Sequence, residues 1–353
     1  MRSLYIASTE GSGGKTTVSV GLCLALRARG LDVAYFKPVG IMPQGATGEL
    51  VDDDARFVAD VLGLDLPLSD LCPVVLDEGA LHEVLAGSDV DTLARVASAF
   101  ERVREGHDLV VCEGLGEIWQ GRFLKASGAD VVTRLDLGAI LVARFAGARL
   151  LDDICYVKDG LKRALLGAVF NMVPESRLAL VRGEYARFLG EQDITTYGVL
   201  PASKRLAAVT VAEIVAALGA TYICGEEHSD ASAETYLIGA MSPEHALRYF
   251  QNAAHKVVVV GGDRSEIILA ALETPTVAIV LTGSYVPSPA VLARAEELGV
   301  PIVSVATDTV SATAGIRRLF GRLGVHDKRK IELIADEIAT NIDLDRLVDD
   351  LSR

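Results

Sequence analysis

The sequence predicts an α/β protein: a doubly wound parallel sheet carrying a phosphate-binding loop, followed by a second, smaller α/β domain. Three observations predict it. Short apolar runs alternate with helical runs along most of the chain, the pattern of strands buried on both faces by crossover helices. Half of the 353 residues are hydrophobic and only 5% are aromatic, so the interior must be built from Ala, Val, Leu and Ile, which suits such sheets. A chain of this length also exceeds one compact core and implies about two domains.

The first predicted strand is Leu4–Ala7, and the helical run behind it carries Val18, Val20, Leu22, Leu24 and Leu26 before ending at Arg29-Gly30. Between them stand Thr9, Glu10, Gly11, Ser12, Gly13, Gly14, Lys15, Thr16 and Thr17. Glycines let the backbone close around phosphate oxygens, and successive N–H groups at a helix N-terminus supply partial positive charge. Lys15 is placed for the outer phosphates and Thr16 for Mg²⁺, so residues 10–17 are the expected contacts of a nucleoside triphosphate. The usual pattern has a further Gly five residues before Gly14, where this chain has Ser8 or Thr9, so the match is to its Gly-Lys-Thr end. The alternative is a Gly-rich turn ahead of an ordinary helix.

Later elements follow in the same style. Val33–Phe36 is a strand ending at Lys37-Pro38-Val39; residues 52–62 and 93–104 are helices; residues 109–112 form an apolar strand ending at Glu113-Gly114. Residues 140–143 and 167–170 are strands on either side of a helix over 150–161, the second ending at Asn171. Ligands of such sheets collect beyond the strand C-termini, where Lys15, Lys37, Glu113 and Asn171 converge. A short strand then stops at Pro201, which sets domains at 1–201 and 202–327 and a helical tail at 328–353. In the second domain, strands at 256–260, 276–281 and 301–305 run into Gly261-Gly262-Asp263-Arg264, Thr282-Gly283-Ser284 and Thr307-Asp308-Thr309. The tail reads as helix interrupted around residues 341–343.

A net charge of −14 argues against a nucleic-acid surface, which demands clustered Lys and Arg. Cys23, Cys72, Cys112, Cys155 and Cys224 form no Cys-x-x-Cys pair, and buried reduced thiols are expected. The first strand begins almost at once, leaving no room for a signal peptide, and no run approaches the ~20 apolar residues of a membrane span. The expected location is the cytoplasm.

Thr9-Glu10, Gly14-Lys15-Thr16, Phe36-Lys37-Pro38-Val39, Val111-Cys112-Glu113-Gly114, Val169-Phe170-Asn171 and Gly198-Val199-Leu200-Pro201 together carry a family resemblance. The N-terminal part resembles the dethiobiotin synthetase and cobyrinate diamide synthase group of P-loop proteins. Residues from about 204 to 327 resemble the DRTGG domain, through Gly261-Gly262-Asp263-Arg264 and Gly299-Val300-Pro301. In this order the two are similar to the N-terminal half of long-form phosphate acetyltransferases. The resemblance implies ATP and Mg²⁺ as cofactors, and a homo-oligomer, specifically a dimer.

Residue chemistry supports the implied roles. Lys37 suits a γ-phosphate or a carboxylate-derived intermediate, making it the second catalytic candidate beside Lys15. Glu113 suits Mg²⁺, directly or through water. Asp52, Asp53 and Asp54 offer one more carboxylate to the metal, with Asp53 named for it although the sequence does not separate the three, against a plain capped helix start favoured by its dipole. Asn171 has the donor and acceptor to read a nucleobase edge, a turn-forming Asn being the alternative. In the second domain Asp263, Arg264, Thr282 and Thr307 form a candidate ligand or interface edge, with an internal Asp–Arg staple as the competing reading.

Departures narrow the function. Gly40-Ile41-Met42 follow Val39 where dethiobiotin synthetases carry small hydroxyl or glycine residues for the amine substrate. No Cys has a nucleophile-elbow setting, so glutamine hydrolysis is not expected. The signature Lys of septum-site and partitioning ATPases would fall at Glu10. The acyl-transfer domain of the long acetyltransferases is absent from this sequence. The favoured reading is a regulatory or sensor module with slow or absent turnover, its second domain meeting a small anionic effector or an acyl-transferase subunit. The alternative is an ATP-dependent ligase that activates a carboxylate or carbamate.

Overall fold

The computed structural model describes residues 1–11, 13–41, 52–87, 91–321 and 330–353. Two units are present, Met1–Ala202 together with Val325–Arg353, and Ser203–Gly324.

The first unit is built on six strands, β1 (Leu4–Ala7), β2 (Val33–Phe36), β3 (Leu109–Glu113), β4 (Gly138–Arg144), β5 (Leu165–Val173) and β6 (Thr195–Pro201). All pair in parallel, in the order β2-β3-β1-β4-β5-β6. The strands of this sheet are buried on both faces, which is why they read as unbroken apolar runs rather than alternating ones. Their order turns back at β1, with β2 and β3 on one side and β4 to β6 on the other. The loop after β1 therefore opens at a topological switch point. Because the strands are parallel, the loops after β1, β2, β3 and β5 emerge at one edge.

Helix α1 (Lys15–Arg27) leaves that loop and is buried along most of its length. Gly21 is the point of closest approach for the C-terminal segment. A Cβ there would strike Ile338 Cγ1 and lie 3.0 Å from Ile334 Cγ2, both on the helix Ile331–Asn341. The final helix, Leu344–Ser352, buries Leu344, Leu347 and Leu351. It is tied down where the Asp343 N–H donates to Tyr197 O at 2.7 Å and the Tyr197 hydroxyl to Asp350 Oδ2 at 2.7 Å. The expected break in the tail is the segment at Ile342, which bridges to Gly198.

In the second unit, β7 (Thr221–Cys224), β8 (Thr235–Ile238), β9 (Lys256–Gly261), β10 (Thr276–Thr282) and β11 (Ile302–Val305) form a sheet in the order β7-β11-β10-β9-β8. Only β7 is antiparallel. Alternate residues of β9 feed two cores: Val258 and Val260 pack with Ile267, Leu272 and Val291, and Val257 and Val259 with Ile214 and Ile316. Lys256 opens β9 fully buried, its ammonium donating to Ala253 O at 3.1 Å and Pro275 O at 2.9 Å, and burial pushes its pKa down to about 8. Among the described residues no helix is long and apolar enough to cross a membrane.

Candidate functional site

The loop after β1 closes on itself before α1 begins. Ser8 Oγ accepts from the Glu10 N–H at 3.3 Å, and a Cβ on Gly13 would strike that same oxygen. Gly14 has φ +87°, a left-handed conformation open to glycine at little cost, and no side chain caps the helix there. The first N–H groups of a helix have no intrahelical acceptors, so α1 presents them to the loop. Thr17 Oγ1 is buried and has no hydrogen-bond partner among the described residues. Gly11 is exposed, Glu10 is half-buried, and Ser12 lies outside the described residues.

Lys15 and Thr16 reach toward β3. Lys15 Nζ donates to Gly116 O at 2.6 Å, and burial lowers its pKa although Glu113 opposes the shift. Thr16 Oγ1 donates to Glu113 Oε1 at 2.6 Å. Glu113 is itself only 2% exposed, and its other oxygen, Oε2, accepts from the Tyr35 hydroxyl at 2.9 Å. Burial raises the pKa of Glu113, with Lys37 pulling the other way.

Lys37 completes the cluster. Its ammonium lies 2.8 Å from Asp52 Oδ1, 2.7 Å from Asp54 Oδ2 and 3.9 Å from Glu113 Oε1. Burial alone would lower its pKa, but Glu113, Asp54 and Asp52 outweigh that and hold it well above the usual lysine value. Asp52 is also the N-cap of the helix Asp53–Leu62, accepting from Ala55 N at 3.0 Å, and it takes the Ile41 N–H at 2.9 Å.

Two expectations for this site need correction. Asp53 is exposed and does not face the cluster, whereas Asp52 and Asp54 do. The reason is helical phase: Asp52 is spent as the cap, and the next two residues point about 100° apart, so only one can turn inward. Asn171 does not hold its whole amide free for a nucleobase. Its Nδ2 donates to Gly13 O at 2.8 Å and its Oδ1 accepts from the Met172 N–H at 2.9 Å, so both ends are used within the protein. Lys15, Thr16, Lys37 and Glu113 are brought together as expected, and Asn171 buttresses the loop beside them.

Tyr35 was missed because a tyrosine inside an apolar strand reads as core. The only signal was its place two residues before Lys37, at the end of the strand next to β3. Among the described residues no three Asp, Glu, His or Cys side chains form a metal cage of their own.

In the second unit, Asp263 and Arg264 follow β9, Thr282 ends β10 and Thr307 follows β11. These three strands are neighbours, so the four residues share an edge. The loops are stitched by Gly262 N to Thr282 O and Gly283 N to Thr307 O, both 3.2 Å. One point differs from expectation, and the competing reading is not met. Thr282 is buried, its hydroxyl 2.8 Å from Thr309 Oγ1, and so is not open to a ligand. The Asp–Arg staple is not formed: both residues are exposed, and Arg264 Nη2 donates to Met241 O at 2.9 Å.

A family model described as AAA domain matches residues 2–210, more than half of the chain. The chain belongs to the AAA domain family. Behind this AAA domain, a model described as DRTGG domain matches residues 213–319. The phosphate acetyltransferase of Deinococcus radiodurans is 25% identical over 364 residues, covering 97% of this chain and 50% of that protein. The ATP-dependent dethiobiotin synthetase of Caldicellulosiruptor bescii is 29% identical over 118 residues, 33% of this chain and 49% of that one. The chain thus spans about half the length of the curated acetyltransferases it matches. Among solved structures, the cell division ATPase MinD of Pyrococcus furiosus aligns with 58% of this chain and 86% of its own at 20% identity, with a TM-score of 0.35. The P-loop AAA domain is thus related to phosphate acetyltransferase and dethiobiotin synthetase, and the order of the two domains agrees with the motif resemblance.

Proposed function

We propose that the AAA domain binds a nucleoside triphosphate, ATP, together with Mg²⁺, and that the chain is a regulatory or sensor module without acetyl-transfer activity of its own. The observation that carries this reading is the buried constellation in which Lys15, Thr16 and Lys37 meet Glu113 at the mouth of the Gly13-Gly14 loop. The residues fit the ligand. The uncapped N-terminus of α1, the left-handed Gly14 and the buried hydroxyl of Thr17, which has no partner among the described residues, are all suited to phosphate oxygens. Thr16 and Glu113 would hold the metal, and Asp54, which shares Lys37 with Glu113, would add negative charge nearby. Bound there, Mg²⁺ supplies charge neutralisation for the phosphates.

The same cluster argues for a module rather than a ligase. Lys37 is surrounded by Asp52, Asp54 and Glu113, so a second carboxylic acid would meet excess negative charge. Gly40 lies against Asp52 and Cys72, and Ile41 is half-exposed, offering no side-chain hydrogen bond to a carbamate. On this reading the second unit's edge, at Asp263, Arg264 and Thr307, meets a small anionic effector or an acyl-transferase subunit. The chain works as a homodimer in the cytoplasm.

Calorimetric titration of Mg-ATP and Mg-GTP into wild type and Lys15→Ala tests the site. Loss of at least about tenfold in affinity, roughly 1.4 kcal/mol, is expected. Equal affinity in the two proteins would sink the assignment. ATP-dependent formation of dethiobiotin from diaminopelargonate and CO₂, expected at background, would replace the module by the ligase.

A further inference from the structure

Tyr35 belongs to none of the motifs that carry the family resemblance. It lies inside β2 between Ala34 and Phe36, with none of its surface reaching solvent. Its hydroxyl donates to Glu113 Oε2 at 2.9 Å while Thr16 donates to Oε1 at 2.6 Å, with Lys37 3.9 Å from Oε1. The two oxygens of one buried carboxylate are therefore engaged by different donors, which locks its orientation.

A hydroxyl that offers a lone pair to a cation must give its proton to an acceptor. Glu113 Oε1 is that acceptor for Thr16. Occupation of Oε2 by Tyr35 then bears on which cation the site prefers. Ca²⁺ takes about six to eight oxygens and often grips a carboxylate with both, whereas Mg²⁺ demands a tight octahedron and is content with water and single oxygens. We propose that Tyr35 is a positioning residue that sets the metal preference of the nucleotide site. Its proton takes one lone pair of Oε2 and fixes the plane of the carboxylate, which disfavours the two-oxygen grip that Ca²⁺ often uses and so favours Mg²⁺. It acts through Glu113 and touches neither metal nor nucleotide. The inference rests on the reading of the AAA domain as a nucleotide site.

The test is titration of ATP into the full chain in Mg²⁺ and, separately, in Ca²⁺, for wild type, Tyr35→Phe, Glu113→Gln and the double variant, with metal-free melting curves to confirm folding. Wild type should bind at least about tenfold more tightly with Mg²⁺, and Tyr35→Phe should narrow the ratio to within about threefold. In the Glu113→Gln background the same substitution should leave the ratio unchanged, because its effect runs through the carboxylate. Binding with the same ratio in wild type and Tyr35→Phe overturns the inference while leaving the nucleotide site standing. No binding in either metal overturns both. Should Tyr35→Phe fail to fold, Tyr35→Leu takes its place with the same two outcomes: a narrowed ratio upholds the inference and an unchanged one overturns it.

Discussion

Asn171 donates its amide N–H to the carbonyl of Gly13 at 2.8 Å, joining the end of β5 to the phosphate loop 158 residues earlier. The contact is buried, so its loss leaves the Gly13 carbonyl unsatisfied at a cost of about 1–3 kcal/mol. Asn171→Ala should lower the melting temperature and weaken ATP and GTP by the same factor, because the side chain supports the loop rather than a base. Parallel titrations of the two nucleotides check this. A change in their affinity ratio would return Asn171 to the role of base reader.

Gly21 gives a prediction whose sign opposes helix propensity. In an exposed helix Gly→Ala gains about 1 kcal/mol. Here the added methyl would run into Ile338, and the packing leaves it no room. Gly21→Ala should therefore destabilise the protein by about 1–3 kcal/mol in urea unfolding. Any gain in stability would mean that the helix Ile331–Asn341 is not seated on α1.

Lys256 makes the second unit sensitive to alkali in a stabilising sense. Its folded pKa is about 8 against an ordinary 10.5, so the unfolded chain binds more protons between these values. Stability from this group must rise with pH across that window, and its burial penalty is fully present below pH 8. The melting-temperature difference between wild type and Lys256→Met should move in favour of wild type from pH 8 to 10. A pH-independent difference would contradict the buried ammonium.

Arg264 is exposed and bonded only to a main-chain carbonyl among the described residues, so Arg264→Ala should fold with nearly unchanged stability. Nucleotide affinity at Lys15 should stay within about threefold, since the two sites are built on separate cores. Size-exclusion chromatography is expected to show weakened self-association. Unfolding on substitution would restore the internal staple.

Much of the site was legible because its charged residues stand directly at the ends of apolar strands. Lys37 after β2 and Glu113 at the end of β3 each break an apolar run with a charge, which marks the sheet edge where they lie. Three consecutive aspartates were not separable by type, since only the helix phase set by the Asp52 cap decides that Asp54 faces Lys37. β7 and β8 went unread because they are the two edges of their sheet and only half-buried, so their alternation is weak. The use of Asn171 depends on a backbone carbonyl, which no side-chain pattern reveals.

The return of residues 325–353 to the first unit makes the second unit a parenthesis in the chain, opened after Ala202 and closed before the final helices. A module held at both ends cannot be trimmed from the C-terminus. Cutting after Gly324 would strip the cover from Gly21 and release the Tyr197 hydroxyl from Asp350, harming the nucleotide unit first. Removing the second unit alone means rejoining two interior points of the sequence. The second unit is thus joined to the AAA domain by two chain crossings rather than by a single tether.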